Sequence, residues 1–154
     1  MGQRRYSEFT SPEAEIYREI VSALRADEDL NRIKWYVYDY DNDEDIEEQV
    51  PPAGKIPALR IAVSDQTREL YSTEREDAIL ALDIESWLPG NHVEDAWGIR
   101  HSIFKALMLY RVTSVFSAPR VMGIVPGEIE QIGRGLMRSV QTAQISYFVQ
   151  NPRR

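Results

Sequence analysis

Residues 78–108 read "AILALDIESWLPGNHVEDAWGIRHSIFKALM", and this stretch decides the fold. Apolar residues recur at every second position in its first part, which predicts a strand over residues 78–88. The expected buried face of this strand carries Leu80, Leu82 and Ile84, and the opposite face carries Ala81, Asp83 and Glu85.

A turn and a helix follow this strand directly. Pro89 and Gly90 end the strand, and Asn91 with Glu94 has the spacing of a capping box. The sequence therefore predicts a helix from about His92 to Arg111. Helical spacing predicts a buried side made of Val93, Ala96, Trp97, Ile103, Phe104 and Leu107.

A second helix is predicted upstream, over residues 12–26. Thr10 and Ser11 are residue types that cap a helix N-terminus, and Pro12 suits the first helical position. Apolar residues then recur at one-turn intervals, at Ile16, Ile20 and Leu24. One face of this helix is therefore expected to be buried, and the acidic sequence "DEDLN" to end it.

Four more segments read as strands: 33–39, 58–64, 120–125 and 140–150. In the last of them, Ala143, Ile145, Tyr147 and Val149 are expected to share one face, and in 58–64 Leu59, Ile61 and Val63 point inward and Arg60 outward. A long loop is predicted near 40–57, residues 65–77 are predicted to form a projecting hairpin or a second long loop, and 128–139 is ambiguous. The order predicts an α+β fold, with a largely antiparallel sheet of four to five strands and two helices packed on one face.

The chain has 154 residues and no cysteine, so we expect a single α+β domain, 1–154, that needs no disulfide. Short basic tails stand at both ends, with Arg4 and Arg5 at one and Arg153 and Arg154 at the other. No apolar run follows the first arginines, as a signal peptide would require. No segment approaches the roughly 20 apolar residues that span a bilayer. These features predict a soluble, intracellular protein.

Charge is unevenly distributed along the chain. Residues 27–48 hold ten acids and two bases, whereas residues 99–154 hold eight bases and two acids. Such an arrangement suits head-to-tail contact between copies, acid against base. Chance clustering of solvated charges is the alternative.

The most acidic stretch, "YDYDNDEDIEEQ" at 38–49, has seven carboxylates in twelve residues. Laid over a calcium-binding EF-hand loop from Asp39, it fails at two essential positions, with Glu44 where glycine is needed and Val50 where glutamate is needed. A calcium loop is therefore disfavoured. A solvated loop or a docking segment that meets basic residues remains, and the acids concerned are Asp39, Asp41, Asp43, Glu44, Asp45, Glu47 and Glu48.

Tyrosines alternate in the strand that leads into this segment. If Trp35 and Val37 face the core, then Tyr36, Tyr38 and Tyr40 point outward together. Rows of exposed tyrosines are typical of surfaces that another element or subunit covers. This pattern favours an assembly protein over an enzyme.

Catalytic and nucleic-acid functions find weaker support. Asp83 and Glu85 could form a carboxylate pair for acid–base chemistry, although exposed acids on a sheet face are commoner. His92 and His101 lack metal-ligand spacing, and no phosphate-binding, dinucleotide or nucleophile motif is present. The acidic chain argues against a nucleic-acid surface, except for the basic C-terminal part.

In its order of elements, the chain resembles the tail-terminator (tail-completion) proteins of long-tailed bacteriophages. The resemblance extends from about Ile16 to Val149 and is one of pattern. It rests on the helix ending "IVSALRADEDL", the strand "IPALRIAV", the strand-to-helix unit quoted first, and the closing strand "AQISYFV". The sequence departs from the family pattern in its long acidic loop at 40–56 and in a longer, glycine-interrupted region at 113–139.

The resemblance implies a virion protein, assembled in the host cytoplasm, that forms a ring of six subunits and caps the tail tube. It would contact the tail tube protein and neck or head-completion proteins, with DNA at most passing through the ring lumen. It implies no active site, metal or cofactor and no membrane. We expect the acids and tyrosines above to meet Arg134 and Arg138 of the next copy. The alternatives are another neck component, a monomeric acidic binding module, and a small enzyme using Asp83 and Glu85.

Overall fold

The computed structural model describes residues 11–31, 36–39, 56–70, 74–109, 119–133 and 135–150. Three helices and five strands lie within these residues. In chain order they are α1 (Pro12–Ala26), α2 (Glu28–Asn31), β1 (Tyr36–Asp39), β2 (Ala58–Leu70), β3 (Arg75–Pro89), α3 (Val93–Leu109), β4 (Arg120–Gln131) and β5 (Leu136–Gln150). The predicted α+β class is confirmed.

The strands form one five-stranded sheet in the order β1-β2-β3-β5-β4. The short β1 pairs parallel with β2 at one edge, and the other three pairings are antiparallel. β3 and β5 pair without a register shift from Arg75 opposite Gln150 to Pro89 opposite Leu136. A strand of this length spans about 50 Å, roughly twice the length of either long helix.

The core lies between the helices and one face of the sheet. Ser11 caps α1, since its hydroxyl oxygen accepts a hydrogen bond from the Ala14 amide at 3.0 Å. The predicted helix bounds are confirmed at both ends. The side chains that fill the core from the helices are Ile16, Ile20, Leu24, Ile103 and Leu107, and those from the sheet include Leu59, Ile61, Leu80, Leu82, Ile84, Ala143 and Ile145.

The alternation predicted for the strand at 78–88 is confirmed on its core face. Leu80, Leu82 and Ile84 are at most 1% exposed. On the opposite face, which we call the outer face, the expectation of solvated charges is wrong at two positions. Glu85 is 8% exposed and Arg60 is 5% exposed. Neighbouring side chains on this face cover them, as described below.

Residues 65–77, predicted to form a hairpin or a loop, are mostly strand. β2 continues to Leu70 and β3 begins at Arg75, and the two pair antiparallel as far as Leu70 opposite Glu76. A register shift beside Ser64 interrupts the ladder. Val63, predicted to face inward, is 58% exposed, so this part of the prediction is wrong. We call residues 63–70 and 75–77 the arm.

The ambiguous segment at 128–139 is also strand at both ends. β4 reaches Gln131 and β5 begins at Leu136. In the connection, Gly133 and Gly135 have φ angles of 65° and 77°, which residues with a Cβ rarely adopt. The Gly135 carbonyl accepts a hydrogen bond from the Gly90 amide at 2.7 Å. The two turns therefore lie side by side at one end of the sheet.

Helix α3 starts one residue later than predicted and is rotated relative to the expectation. It runs from Val93 to Leu109, and the predicted end at Arg111 lies outside the described residues. Asn91 therefore stands one residue too early to be the N-cap. Ala96, Ile103 and Leu107 are fully buried, as expected. Val93, Trp97 and Phe104 are 38%, 58% and 42% exposed, and their predicted burial is wrong. The apolar residues of α3 form two adjacent stripes, and only one faces the core.

Candidate interface surfaces

Three of the predicted contact residues lie on β1, at one edge of the sheet. Tyr36, Tyr38 and Asp39 belong to β1, where their backbone pairs with residues 58–61 of β2. The acidic segment continues from that edge strand. The remaining predicted contact residues that fall outside the described ranges are Tyr40, Asp41, Asp43, Glu44, Asp45, Glu47, Glu48 and Arg134.

Arg138 is described, and its guanidinium is engaged within its own chain. Nη2 donates a hydrogen bond to Glu85 Oε1 at 2.6 Å. Nη1 lies 3.7 Å from Glu130 Oε2 on β4. Its side chain is 28% exposed and that of Glu85 is 11% exposed. Contact between Arg138 and a neighbouring subunit would therefore compete with an existing, partly buried ion pair.

Trp87 is the centre of this part of the outer face. Its side chain is 2% exposed, and its neighbours across the sheet are Ala58 on β2 and Arg138 on β5. The guanidinium carbons of Arg60 and Arg138 lie 5.9 Å and 5.8 Å from the ring centroid. Both distances fall within the range of cation–π attraction. The indole N–H lies 3.4 Å from Glu85 Oε2.

Together these residues link neighbouring strands on the outer face. We call Arg60, Glu85, Trp87, Glu130 and Arg138 the outer cluster; they come from β2, β3, β4 and β5. Its two cations and two anions balance, so the cluster carries no net formal charge. Because its charges are matched internally, the cluster is suited to stiffening the sheet.

The Asp83 and Glu85 pair does not form a catalytic arrangement of the kind considered above. Asp83 Oδ1 accepts a hydrogen bond from the Thr142 hydroxyl at 2.6 Å, and Glu85 is held by Arg138. A groove of about 740 Å³ lies elsewhere, between α2, the end of β3 and α3. Neither carboxylate lines it, whereas Asp29, Glu94 and Gly98 do.

The base of the arm is joined to α1 by a polar cluster. Arg68 Nη2 donates to Glu13 Oε1 at 2.7 Å, and Gln66 Nε2 donates to the Tyr147 hydroxyl at 3.3 Å. The hydrogen bond to Glu13 raises the pKa of the Arg68 guanidinium. Burial raises the pKa of the Tyr147 phenol, with the hydrogen bond from Gln66 opposing that rise.

The raised pKa of Tyr147 predicts a loss of stability at alkaline pH. The unfolded chain loses this proton near pH 10, whereas the folded protein holds it to higher pH. The stability that the raised pKa of Tyr147 contributes is therefore fully present below about pH 10, and it is lost as pH rises through the pKa of Tyr147 in the folded protein. We expect the melting temperature of Tyr147→Phe to fall less steeply than that of the wild type between pH 9.5 and 11.5. If the melting temperatures of the wild type and of Tyr147→Phe fell equally with pH, the raised pKa of Tyr147 would not contribute to stability.

Arg100 fastens α3 to the irregular part of β4. Its Nε donates to Ser139 Oγ at 2.6 Å, and its Nη2 donates to the carbonyls of Gly127 at 2.6 Å, Glu128 at 3.0 Å and Val140 at 3.1 Å. Burial lowers the pKa of this guanidinium. A Cβ at Gly127 would come within 2.9 Å of the Val140 carbonyl oxygen. The irregular part of β4 therefore requires glycine at residue 127, and the hydrogen bonds of Arg100 hold it in place.

Helical spacing predicted burial for a side of α3 that is in fact exposed. Val93, Trp97, Phe104 and Met108 are all at least 38% exposed along one side of α3, and His101 lies exposed between them. The His101 and Phe104 rings stack with centroids 6.4 Å apart. We call these five residues the α3 stripe. The only sequence signal for the α3 stripe is the spacing of its five members, considered separately from the spacing of the buried residues of α3.

Among the residues that the structure describes, no three histidine or acidic side chains are grouped so as to hold a metal ion. Within the same ranges, no helix is both long and apolar enough to cross a membrane. No protein-family model and no curated protein matches the chain. The fold and the surfaces above therefore define this protein as an α+β domain with an extended sheet.

Proposed function

We propose that this protein is a structural subunit that works through contacts with other chains, as a tail terminator of a long-tailed bacteriophage. Six copies would form a ring that caps the tail tube and joins it to neck or head-completion proteins. The proposal combines the resemblance of the sequence to that family with the surfaces of the fold.

The arm is the observation that carries the proposal. The last eight residues of β2 are all exposed, although this strand is paired with β3 along its length. These residues pair with β3 and contact α1 through the ion pair of Arg68 with Glu13, but their side chains bury little surface within the chain. A neighbouring subunit that packed on the arm would bury its exposed apolar side chains, Val63 and Leu70.

The acidic segment supplies the second contact of the proposal. It begins at the β1 edge of the sheet, and basic residues dominate the last third of the chain. In a ring each copy offers two different surfaces, one to each neighbour, so complementary charges at two separate places on one chain fit that symmetry. Arg134 is the basic residue assigned to this contact.

Reversing the acidic charges should weaken the ring. We expect the triple variant Asp43→Lys, Glu44→Lys, Asp45→Lys to raise the subunit concentration needed for assembly at least tenfold, because like charges then face each other. Native mass spectrometry across a dilution series, with negative-stain images of the wild type, measures the assembly and its symmetry. Adding Arg134→Asp to the triple variant should restore part of the loss.

The controls separate the alternatives. Wild-type assembly should weaken as salt is raised, because exposed charges are screened, and the triple variant should respond less. A wild-type chain that stays monomeric at all concentrations would overturn the ring and favour an acidic binding module. An unchanged assembly in the triple variant would remove the acidic segment from the contact but leave the arm to be tested.

A further inference from the structure

The α3 stripe has the spacing of a helix that packs against another helix. Its members stand at intervals of four, four, three and four residues. Alternation of three and four is the pattern of helix pairs that pack side by side. The stripe lies about a quarter of a turn from the buried stripe of Ala96, Ile103 and Leu107, so the core of its own domain does not use it.

Its composition is that of a contact surface. Trp97 is 58% exposed, and tryptophan, phenylalanine and methionine are enriched where protein chains meet. Single exposed apolar residues are ordinary on protein surfaces, but a contiguous row of them is not.

The charges beside the stripe fix the direction of that partner. Glu94 lies in the first turn of α3 and Lys105 lies near its end, both on the side of the stripe that carries Gly98. An antiparallel second copy would bring Glu94 of each helix to Lys105 of the other. Lys105 Nζ is 3.1 Å from Asp29 Oδ2 within the chain, and both side chains are about half exposed, so the ammonium can serve both carboxylates.

We propose that α3 of one copy packs antiparallel against α3 of a second copy, around a twofold axis near His101. Trp97 of each chain then lies beside Phe104 of the other, and Val93 lies beside Met108. A twofold contact of this kind uses the same surface on both chains. It involves neither the arm nor the acidic segment, so it goes beyond the proposed ring and does not depend on it.

The size of the surface sets the strength of the contact. At their exposed fractions, the four apolar side chains of the α3 stripe present roughly 400 Å² of accessible surface per subunit. They are Val93, Trp97, Phe104 and Met108. Two such surfaces amount to about 800 Å², which is below the roughly 1,000 Å² of a stable specific interface and in the range of weak, transient contacts. We therefore expect a dimer that forms reversibly, with a Kd on the order of micromolar.

Substitutions in the stripe test the surface. In sedimentation velocity from about 1 to 200 µM, dimer should form in the wild type and fall at least tenfold in affinity in Trp97→Glu. Met122→Glu is the matched control, because Met122 is 54% exposed on β4, outside the stripe. It should dimerise as the wild type does. Equal losses in both variants, or no dimer in the wild type, would overturn the proposal.

Cysteine cross-linking tests the symmetry, and the chain has no native cysteine to interfere. His101→Cys lies next to the proposed axis, so mild oxidation should join it to its twin. Val93→Cys should not cross-link, because the two copies of residue 93 would stand about 22 Å apart. Cross-linking at 93 but not at 101 would overturn the antiparallel arrangement. Glu94→Lys and Lys105→Glu should each weaken the dimer, and the double variant should restore it; additive losses would also contradict the proposal.

Discussion

Trp87→Ala is expected to lower the free energy of unfolding by about 3–5 kcal/mol. The ring is 2% exposed and lies between the guanidinium groups of Arg60 and Arg138. Its removal leaves a cavity on the outer face and two cations that lose their aromatic neighbour. Urea denaturation, followed by far-ultraviolet circular dichroism, measures the loss.

Trp97→Ala is the matched control for this prediction. It is the same substitution, but Trp97 is 58% exposed on α3. Measured at a concentration where the protein is monomeric, its cost should stay within about 0.5 kcal/mol. Similar losses for the two tryptophans would show that Trp87 is not buried against the two arginines.

Arg100→Met is expected to cost about 2–4 kcal/mol. The guanidinium makes four hydrogen bonds that fasten α3 to β4 and β5, and methionine keeps most of the bulk while removing all of them. Each lost hydrogen bond from a charged donor costs roughly 1.5–3 kcal/mol of stability where the carbonyl stays buried, and less where water replaces the donor. Hydrogen exchange should show faster exchange in β4 and little change at the pairing of β2 with β3.

Two comparisons make the Arg100 prediction specific. Arg68→Met removes an arginine whose side chain is 42% exposed in its ion pair with Glu13, so it should cost about 1 kcal/mol or less. Arg100→Lys keeps the charge but lacks the planar fork of donors, so we expect it to recover only part of the loss. Full recovery by lysine would show that charge, and not the hydrogen-bond geometry, holds the irregular part of β4.

Local signals in the sequence were sufficient to predict helix α1 and the core face of β3. Ser11 and Pro12 mark the start of α1, and strict alternation marks Leu80, Leu82 and Ile84. These features depend on residues close together in the chain. The fold class followed from their order, because short links between strands favour antiparallel pairing.

The arm and the α3 stripe needed information that local patterns do not contain. Residues 63–70 of the arm are all exposed, so their sequence does not alternate between apolar and polar residues, and their strand conformation follows from the ladder with β3. In α3, apolar residues form two adjacent stripes, and helical periodicity alone does not tell which one meets the sheet. Trp97 and Phe104 were therefore assigned to the wrong stripe.

The outer cluster depended on long-range register. Alternation placed Glu85 and Trp87 on one face, but Arg138 lies more than fifty residues away in the chain. Its position opposite Trp87 follows from the register of β3 with β5, which no local pattern specifies. Arg138 was therefore predicted as a residue for contact with another copy, whereas it is held by Glu85 within the chain.

The place of β5 in the sheet has a consequence for biosynthesis. β5 lies between β3 and β4, so neither of those strands has its partner on that side until residues 136–150 have been made. Until then a nascent chain presents two long strand edges that can pair with other chains. We expect chains stalled or cut before residue 136 to aggregate or be degraded, so that only a chain that includes β5 completes the sheet.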